Sequence, residues 1–120
     1  MRKIKYAIIV GILLIIVAVF YFNFSSGKYD LFAKCLTDKR VKFYGAFWCP
    51  HCADQKKLFG SSIKYITYIE CSTPNGAGQT QICIQENIES YPTWVFPDNT
   101  TLVGPQTLEK ISSISGCRLN

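Results

Sequence analysis

Hydropathy divides this chain into two unlike parts. Tyr6 to Phe22 is an unbroken run of 17 apolar residues, counting Gly11 and the two tyrosines, and between Ile4 and Phe24 only Lys5 and Asn23 interrupt it. From Lys28 onward, short apolar segments alternate with polar ones. A helix over 4–24 spans about 30 Å at 1.5 Å per residue, the thickness of a bilayer's hydrocarbon core. Tyr21, Phe22 and Phe24 stand where an interfacial aromatic belt belongs. The pattern predicts a single transmembrane anchor with a short flexible link, Ser25-Ser26-Gly27, over residues 1–27, and one separate domain over 28–120.

In the second part the spacing predicts a helix over Asp30 to Asp38, with Leu31, Phe32, Cys35 and Leu36 on one face. Val41 to Phe47 is β-branched and aromatic and reads as a buried strand. His51 to Phe59 is helix-compatible and ends at Gly60; Tyr65 to Glu70 reads as a second strand. Ser72 to Gly78 is a loop by composition, and Gln79 to Glu89 reads as a helix. Thr93 to Phe96 and Thr101 to Val103 form a hairpin about the turn at 97–100. A last helix over Thr107 to Ser115, capped by Thr107, places Leu108, Ile111 and Ile114 on one face. Helices alternating with strands and a terminal hairpin imply an α/β fold, a sheet flanked by helices.

Charge adds an orientation. Of the formal net charge of +5, Arg2, Lys3 and Lys5 carry three, and the rest of the chain sets ten Lys and Arg against eight Asp and Glu. Positive charge before the span and little after it predicts a cytoplasmic amino terminus and a periplasmic or otherwise extracytoplasmic domain. A cleaved signal peptide has the same charged start, but its apolar region is shorter and ends in small residues, so an uncleaved anchor is expected. The scattered remaining charges argue against nucleic-acid binding. A domain of about 93 residues buries only about two-thirds of its unfolded surface, so cross-links would help it. There are six cysteines to form them.

Two of the six, Cys49 and Cys52, lie in Trp48-Cys49-Pro50-His51-Cys52 at the junction between the first strand and a helix. A Cys-x-x-Cys there is the form of a redox-active dithiol. Thiolate is the species that attacks a disulfide, and a helix start offers it free N–H groups and the positive end of the dipole. Pro50 suits the first helical position, which needs no N–H donor. Cys52 returns to the same face one turn further in. Trp48 would cover the nucleophile, and His51, the chain's single histidine, would add a donor or a positive charge. Stabilising that thiolate favours the reduced form and makes the disulfide a stronger oxidant. Zinc is not expected, because no second close cysteine pair is present: Cys71 and Cys83 are too far apart in sequence.

The segment WCPHC at 48–52, with SYPTW some forty residues later, resembles the thioredoxin family. The resemblance implies a thioredoxin fold with Pro92 in cis facing the dithiol and Tyr91 offering its backbone to substrate. The intervening Pro50-His51 is the dipeptide of the bacterial DsbA-type oxidants. YGAFWCPHC at 44–52, QKKLFG at 55–60, YIEC at 68–71, YPTW at 91–94 and Gly116-Cys117 resemble more closely the thioredoxin-like domain fused to, or encoded beside, bacterial homologues of vitamin K epoxide reductase. That resemblance covers nearly all of 30–117. It implies a protein that hands disulfides to reduced protein substrates and is reoxidised by a quinone-linked membrane reductase of the vitamin K epoxide reductase type. No cofactor of its own is implied.

In one respect the chain departs from ordinary thioredoxins. They carry a buried acid on the strand before the motif, and Phe43 stands at the matching position here, which leaves the proton acceptor for Cys52 open. The resemblance also favours a disulfide between Cys71 and Cys83, a redox relay being the other use of that pair. Cys35 and Cys117 remain as a pair by elimination among the fifteen pairings six cysteines allow. The expected function is thus dithiol–disulfide exchange in the oxidising direction. Two alternatives stay open: an extracytoplasmic reductase or isomerase, as in cytochrome maturation, and a redox-inert binding module.

Overall fold

The computed structural model describes residues 1–24 and 26–119, with Phe24 by its backbone alone. Ser25 of the expected link and the Phe24 side chain of the expected aromatic belt lie outside the described residues. Helix α1, Arg2–Phe24, carries the apolar run, and none of its most apolar window is buried against the rest of the chain. It is long and apolar enough to cross a bilayer.

The remaining elements run α2 (Asp30–Asp38), β1 (Lys42–Gly45), α3 (Pro50–Phe59), a 3₁₀ segment (Gly60–Tyr65), β2 (Thr67–Glu70), α4 (Gln81–Gln85), β3 (Thr93–Val95), β4 (Thr101–Val103) and α5 (Leu108–Ser115). The sheet order is β2-β1-β3-β4. β1 pairs parallel with β2, with Phe43 opposite Tyr68, and antiparallel with β3, with Phe43 opposite Trp94. β4 completes the antiparallel hairpin. A parallel βαβ unit followed by an antiparallel hairpin, with helices packed on the sheet, is the thioredoxin fold.

Successive side chains of a strand point to opposite faces, and in β1 both faces are buried. Phe43 enters the larger cluster with Trp94, Phe59, Phe32, Leu36 and Ile111. Its ring stacks on Trp94 at 4.6 Å, and Phe32 stacks on Phe59 at 5.9 Å. Tyr44 enters a smaller cluster with Cys71, Cys83 and Ile88. Gln55 on α3 is buried, and both ends of its amide are hydrogen-bonded. Its Nε2 donates to the Gln106 carbonyl at 3.0 Å and its Oε1 accepts from the Gln106 N–H at 2.7 Å. Thr107 Oγ1 caps α5 by accepting from Lys110 N at 3.2 Å.

Four expectations need correction. Leu31 is 71% exposed; the buried face of α2 is Phe32, Ala33 and Leu36, one position round from the expected stripe. β1 stops at Gly45, and Phe47 turns outward. Gly60 to Tyr65 forms a 3₁₀ segment, which delays β2 to Thr67 and docks on α2, with Thr37 Oγ1 donating to the Tyr65 carbonyl at 2.6 Å. α4 is one turn and not eleven residues. It ends where Asn87 takes a positive φ of 53° and Ile88 N returns to the Cys83 carbonyl at 2.9 Å. That reversal drives Ile88 into the cluster with Tyr44, which a continued helix would not do.

Candidate active site

The site lies at the carboxyl end of β1. Cys49 is the N-cap of α3, with Pro50 at the first helical position. Its backbone is extended, at φ −82° and ψ 115°, so the chain leaves the loop and enters the helix at this residue. The Cys49 sulfur accepts from Cys52 N at 3.2 Å, filling the place that a Ser or Asp oxygen takes in an ordinary cap. An anion formed on that sulfur faces the positive end of the helix. Cys52, one turn in, is 1% exposed against 6% for Cys49, and the two are not bridged. Burial, and then the contact with Cys49, push the Cys52 thiol up to about 12; the Ala46 backbone and the charge of Lys56 act in the opposite direction.

Tyr91–Pro92 is a cis peptide, and the Tyr91 carbonyl lies 3.8 Å from the Cys49 sulfur. The loop before β3 therefore faces the cysteine that is nearer to solvent. Trp48, 53% exposed, meets the Tyr91 ring edge-to-face at 6.0 Å and donates its indole N–H to Ser72 Oγ at 2.9 Å. His51 is exposed in the first turn of α3. The hydrogen bond to the Cys49 sulfur comes from the backbone of Cys52, not from the imidazole.

The other cysteines form two disulfides. Cys35–Cys117 joins α2 to the segment after α5, and Cys71–Cys83 joins the end of β2 to α4. The second bridge closes the base of the loop at 72–79. That loop, with Trp48, Ile88, Glu89 and Tyr91, walls an open cleft of about 480 Å³ beside the dithiol. Among the described residues no group of three or more His, Cys, Asp or Glu side chains comes together as a metal would require.

Three residues that sequence reasoning did not single out contribute here. Glu70, at the end of β2, accepts at Oε1 from Phe47 N at 3.2 Å and from Ser72 N at 2.8 Å, and at Oε2 from the Tyr68 hydroxyl at 2.8 Å. It therefore ties the loop that carries Trp48 to the neighbouring strand. Gly45 has no room for a side chain. An added Cβ would lie 2.9 Å from the Tyr68 ring and 3.0 Å from the Cys52 sulfur. The alternation of Tyr68 and Glu70 in β2 was the available signal, since residues two apart share a face of a strand.

No protein-family model matches the chain. It is 37% identical over 101 residues to the thiol-disulfide oxidoreductase LTO1 of Arabidopsis thaliana; those residues are 80% of this chain and 27% of LTO1. The chain thus spans about a quarter of the curated relative it matches. Among solved structures it is similar to thioredoxin O2 from Arabidopsis thaliana in its oxidised state, with 13% identity and a TM-score of 0.42 over 80% of this chain and 92% of that one. The order and directions of its own strands, with a cysteine pair at the head of α3, make this chain a thioredoxin-fold protein carrying a dithiol site.

Proposed function

We propose that the chain is a membrane-tethered thiol–disulfide oxidoreductase that introduces disulfides into exported proteins through Cys49 and Cys52. The observation that carries this reading is the unequal placement of the two sulfurs. Cys49 caps a helix with its sulfur 3.8 Å from the carbonyl of Tyr91, a residue that lines the open cleft, and Cys52 lies one turn behind it, 1% exposed against 6%. The similarity to a protein named as a thiol-disulfide oxidoreductase supports the same chemistry.

In the oxidised protein a substrate thiolate attacks the Cys49 sulfur. The Cys49–Cys52 bond breaks with its electron pair on Cys52, which takes up a proton, and substrate and Cys49 form a mixed disulfide. A second substrate thiolate attacks the substrate sulfur of that bond and releases Cys49 as a thiolate. The substrate has lost two electrons and gained a disulfide; the dithiol holds the electrons. Pro50 leaves the helix start free of a competing N–H, while Trp48, Tyr91 and Pro92 hold the incoming strand over Cys49. His51, exposed in the first turn of α3, offers a ring N–H beside the site, and a donor there favours the thiolate and with it the oxidising direction. A quinone-linked membrane reductase of the vitamin K epoxide reductase type then reoxidises the pair. α1 tethers the domain on the extracytoplasmic side, with the amino terminus in the cytoplasm, and raises the local concentration of that partner.

The test is the redox equilibrium of the purified chain against glutathione, together with oxidation of a reduced model protein. A potential near about −120 mV marks an oxidant and one near about −270 mV a reductase. Model-protein oxidation unchanged in Cys49→Ser would leave only a redox-inert role.

A further inference from the structure

Cys52 must gain and lose a proton in every cycle, yet its surroundings are apolar and the strand position that holds an acid in ordinary thioredoxins is Phe43, buried and stacked on Trp94. A polar group nevertheless reaches it from the neighbouring strand. One point, where Gly45 would carry a Cβ, lies 3.0 Å from the Cys52 sulfur and 3.2 Å from the Tyr68 hydroxyl oxygen. The two atoms are therefore at most 6.2 Å apart, against the roughly 5–6 Å that two hydrogen bonds through one water span. The Tyr68 hydroxyl donates to Glu70 Oε2 at 2.8 Å, and Glu70 is only partly buried. The Lys56 ammonium lies over the Tyr68 ring, 3.6 Å from its centre.

Resting on the proposed dithiol chemistry, we infer that Tyr68, held by Glu70, is the group through which Cys52 exchanges its proton with solvent. The charged and titratable neighbours are few. α3 presents Cys49 and Lys56, β2 presents Glu70, and β1 presents only Phe43 and Gly45, which do not titrate. When Cys52 acts as nucleophile its proton passes to a bridging water, which gives one of its own to the Tyr68 oxygen as the Tyr68 proton passes to the Glu70 carboxylate. The net change is thiol plus carboxylate to thiolate plus carboxylic acid, with the tyrosine neutral before and after. Glu70 then releases the proton to water. In the oxidising half-reaction the same path runs backwards and protonates the Cys52 thiolate as the disulfide opens. Burial, and then the bond to Glu70, raise the Tyr68 hydroxyl well above its ordinary value, which suits a conduit that keeps a proton. Lys56 offsets the negative charge while Cys52 is a thiolate.

The full chain in detergent, reduced and mixed with excess 5,5′-dithiobis(2-nitrobenzoate), separates the two sulfurs. The first coloured thiol is released when Cys49 attacks, and the second when Cys52 resolves the mixed disulfide. Tyr68→Phe keeps the ring and its contact with Lys56 and removes only the hydroxyl. Its second phase is expected to be slowed by about tenfold or more, on the scale of general acid–base catalysis, and to become steeply dependent on hydroxide, with the first phase unchanged. Glu70→Gln, which retains acceptor and packing, is expected to show the same split to a smaller degree. Second-phase rates and pH profiles in both variants within about twofold of the parent overturn the relay while leaving the dithiol chemistry standing. Absence of the first phase in the parent overturns the proposed function itself.

Discussion

Gly45 sits between two cysteine pairs that the fold treats differently. On one side its missing Cβ leaves space against the Cys52 sulfur; on the other its carbonyl accepts from Cys71 N at 2.7 Å. The Cys49–Cys52 pair is made by local geometry, three residues apart across a helix start, with the Cys49 sulfur 3.8 Å from the carbonyl of Tyr91, which lines the cleft. The Cys71–Cys83 pair is made by tertiary structure, fully buried beneath Tyr44 and Ile88. The residue type is the same and Gly45 adjoins both sites, so access and hydrogen-bond geometry, rather than cysteine content, mark which pair can react.

The contrast breaks most completely at Cys49. Cys49→Ser is expected to abolish oxidation of a reduced protein. Cys52→Ser, mixed with a disulfide-bonded substrate, is expected to accumulate the Cys49–substrate mixed disulfide, because Cys49 opens the substrate disulfide and no Cys52 thiol resolves the bond; a band shift on non-reducing gels shows it. Removing Cys35–Cys117 as a double alanine variant opens the longest covalent loop, with a sequence separation of 82, and is expected to cost about 4 kcal/mol by loop entropy in urea unfolding. Cys49 should keep its reactivity in that variant whenever it is folded. Removing Cys71–Cys83 is expected to cost about 3 kcal/mol, and it also frees the loop that receives the Trp48 indole N–H. A rise in the KM for protein substrate, with the rate of Cys49 alkylation unchanged, is the expected signature.

Gly45→Ala forces a contact below 3.0 Å with Tyr68 and is expected to destabilise by about 1–3 kcal/mol as an overpacked site. It should slow attack by Cys52 more than attack by Cys49. The smallest effect is on pH. Because the folded Cys52 thiol titrates near about 12 against an ordinary 9.0, the folded state holds a proton that the unfolded chain releases between those values. Through this group the reduced protein should lose stability as pH rises above about 9, and the thiol should leave unfolding midpoints between pH 6 and 8 unchanged.

Where local pattern decides structure, the sequence was readable. Asp30–Asp38 has the bounds its spacing predicts, and the Thr107 cap is where its hydroxyl and the apolar positions place it. The dithiol announces itself because its geometry spans four residues. Readability failed where a segment answers to a distant partner. Gln79 to Glu89 has a helical pattern, but the disulfide at Cys83 and the site for Ile88 end the helix after one turn. GSSIKY at 60–65 carries no apolar period, and its 3₁₀ turns are held by α2 through contacts such as Thr37 to Tyr65. Tyr68 and Glu70 read as ordinary strand residues until the parallel pairing of β1 with β2 sets them beside Gly45 and Cys52.

One turn beyond Cys52, the two hydrogen bonds between the Gln55 amide and the backbone of Gln106 copy a single rung of a β-ladder, made by a side chain. The rung pins the middle of α3 to the chain that leads into α5, three residues beyond Cys52. Opening or closing a bond between Cys49 and Cys52 is therefore expected to shift the first turn of α3 more than its anchored middle, a difference that amide chemical shifts of the two forms would show.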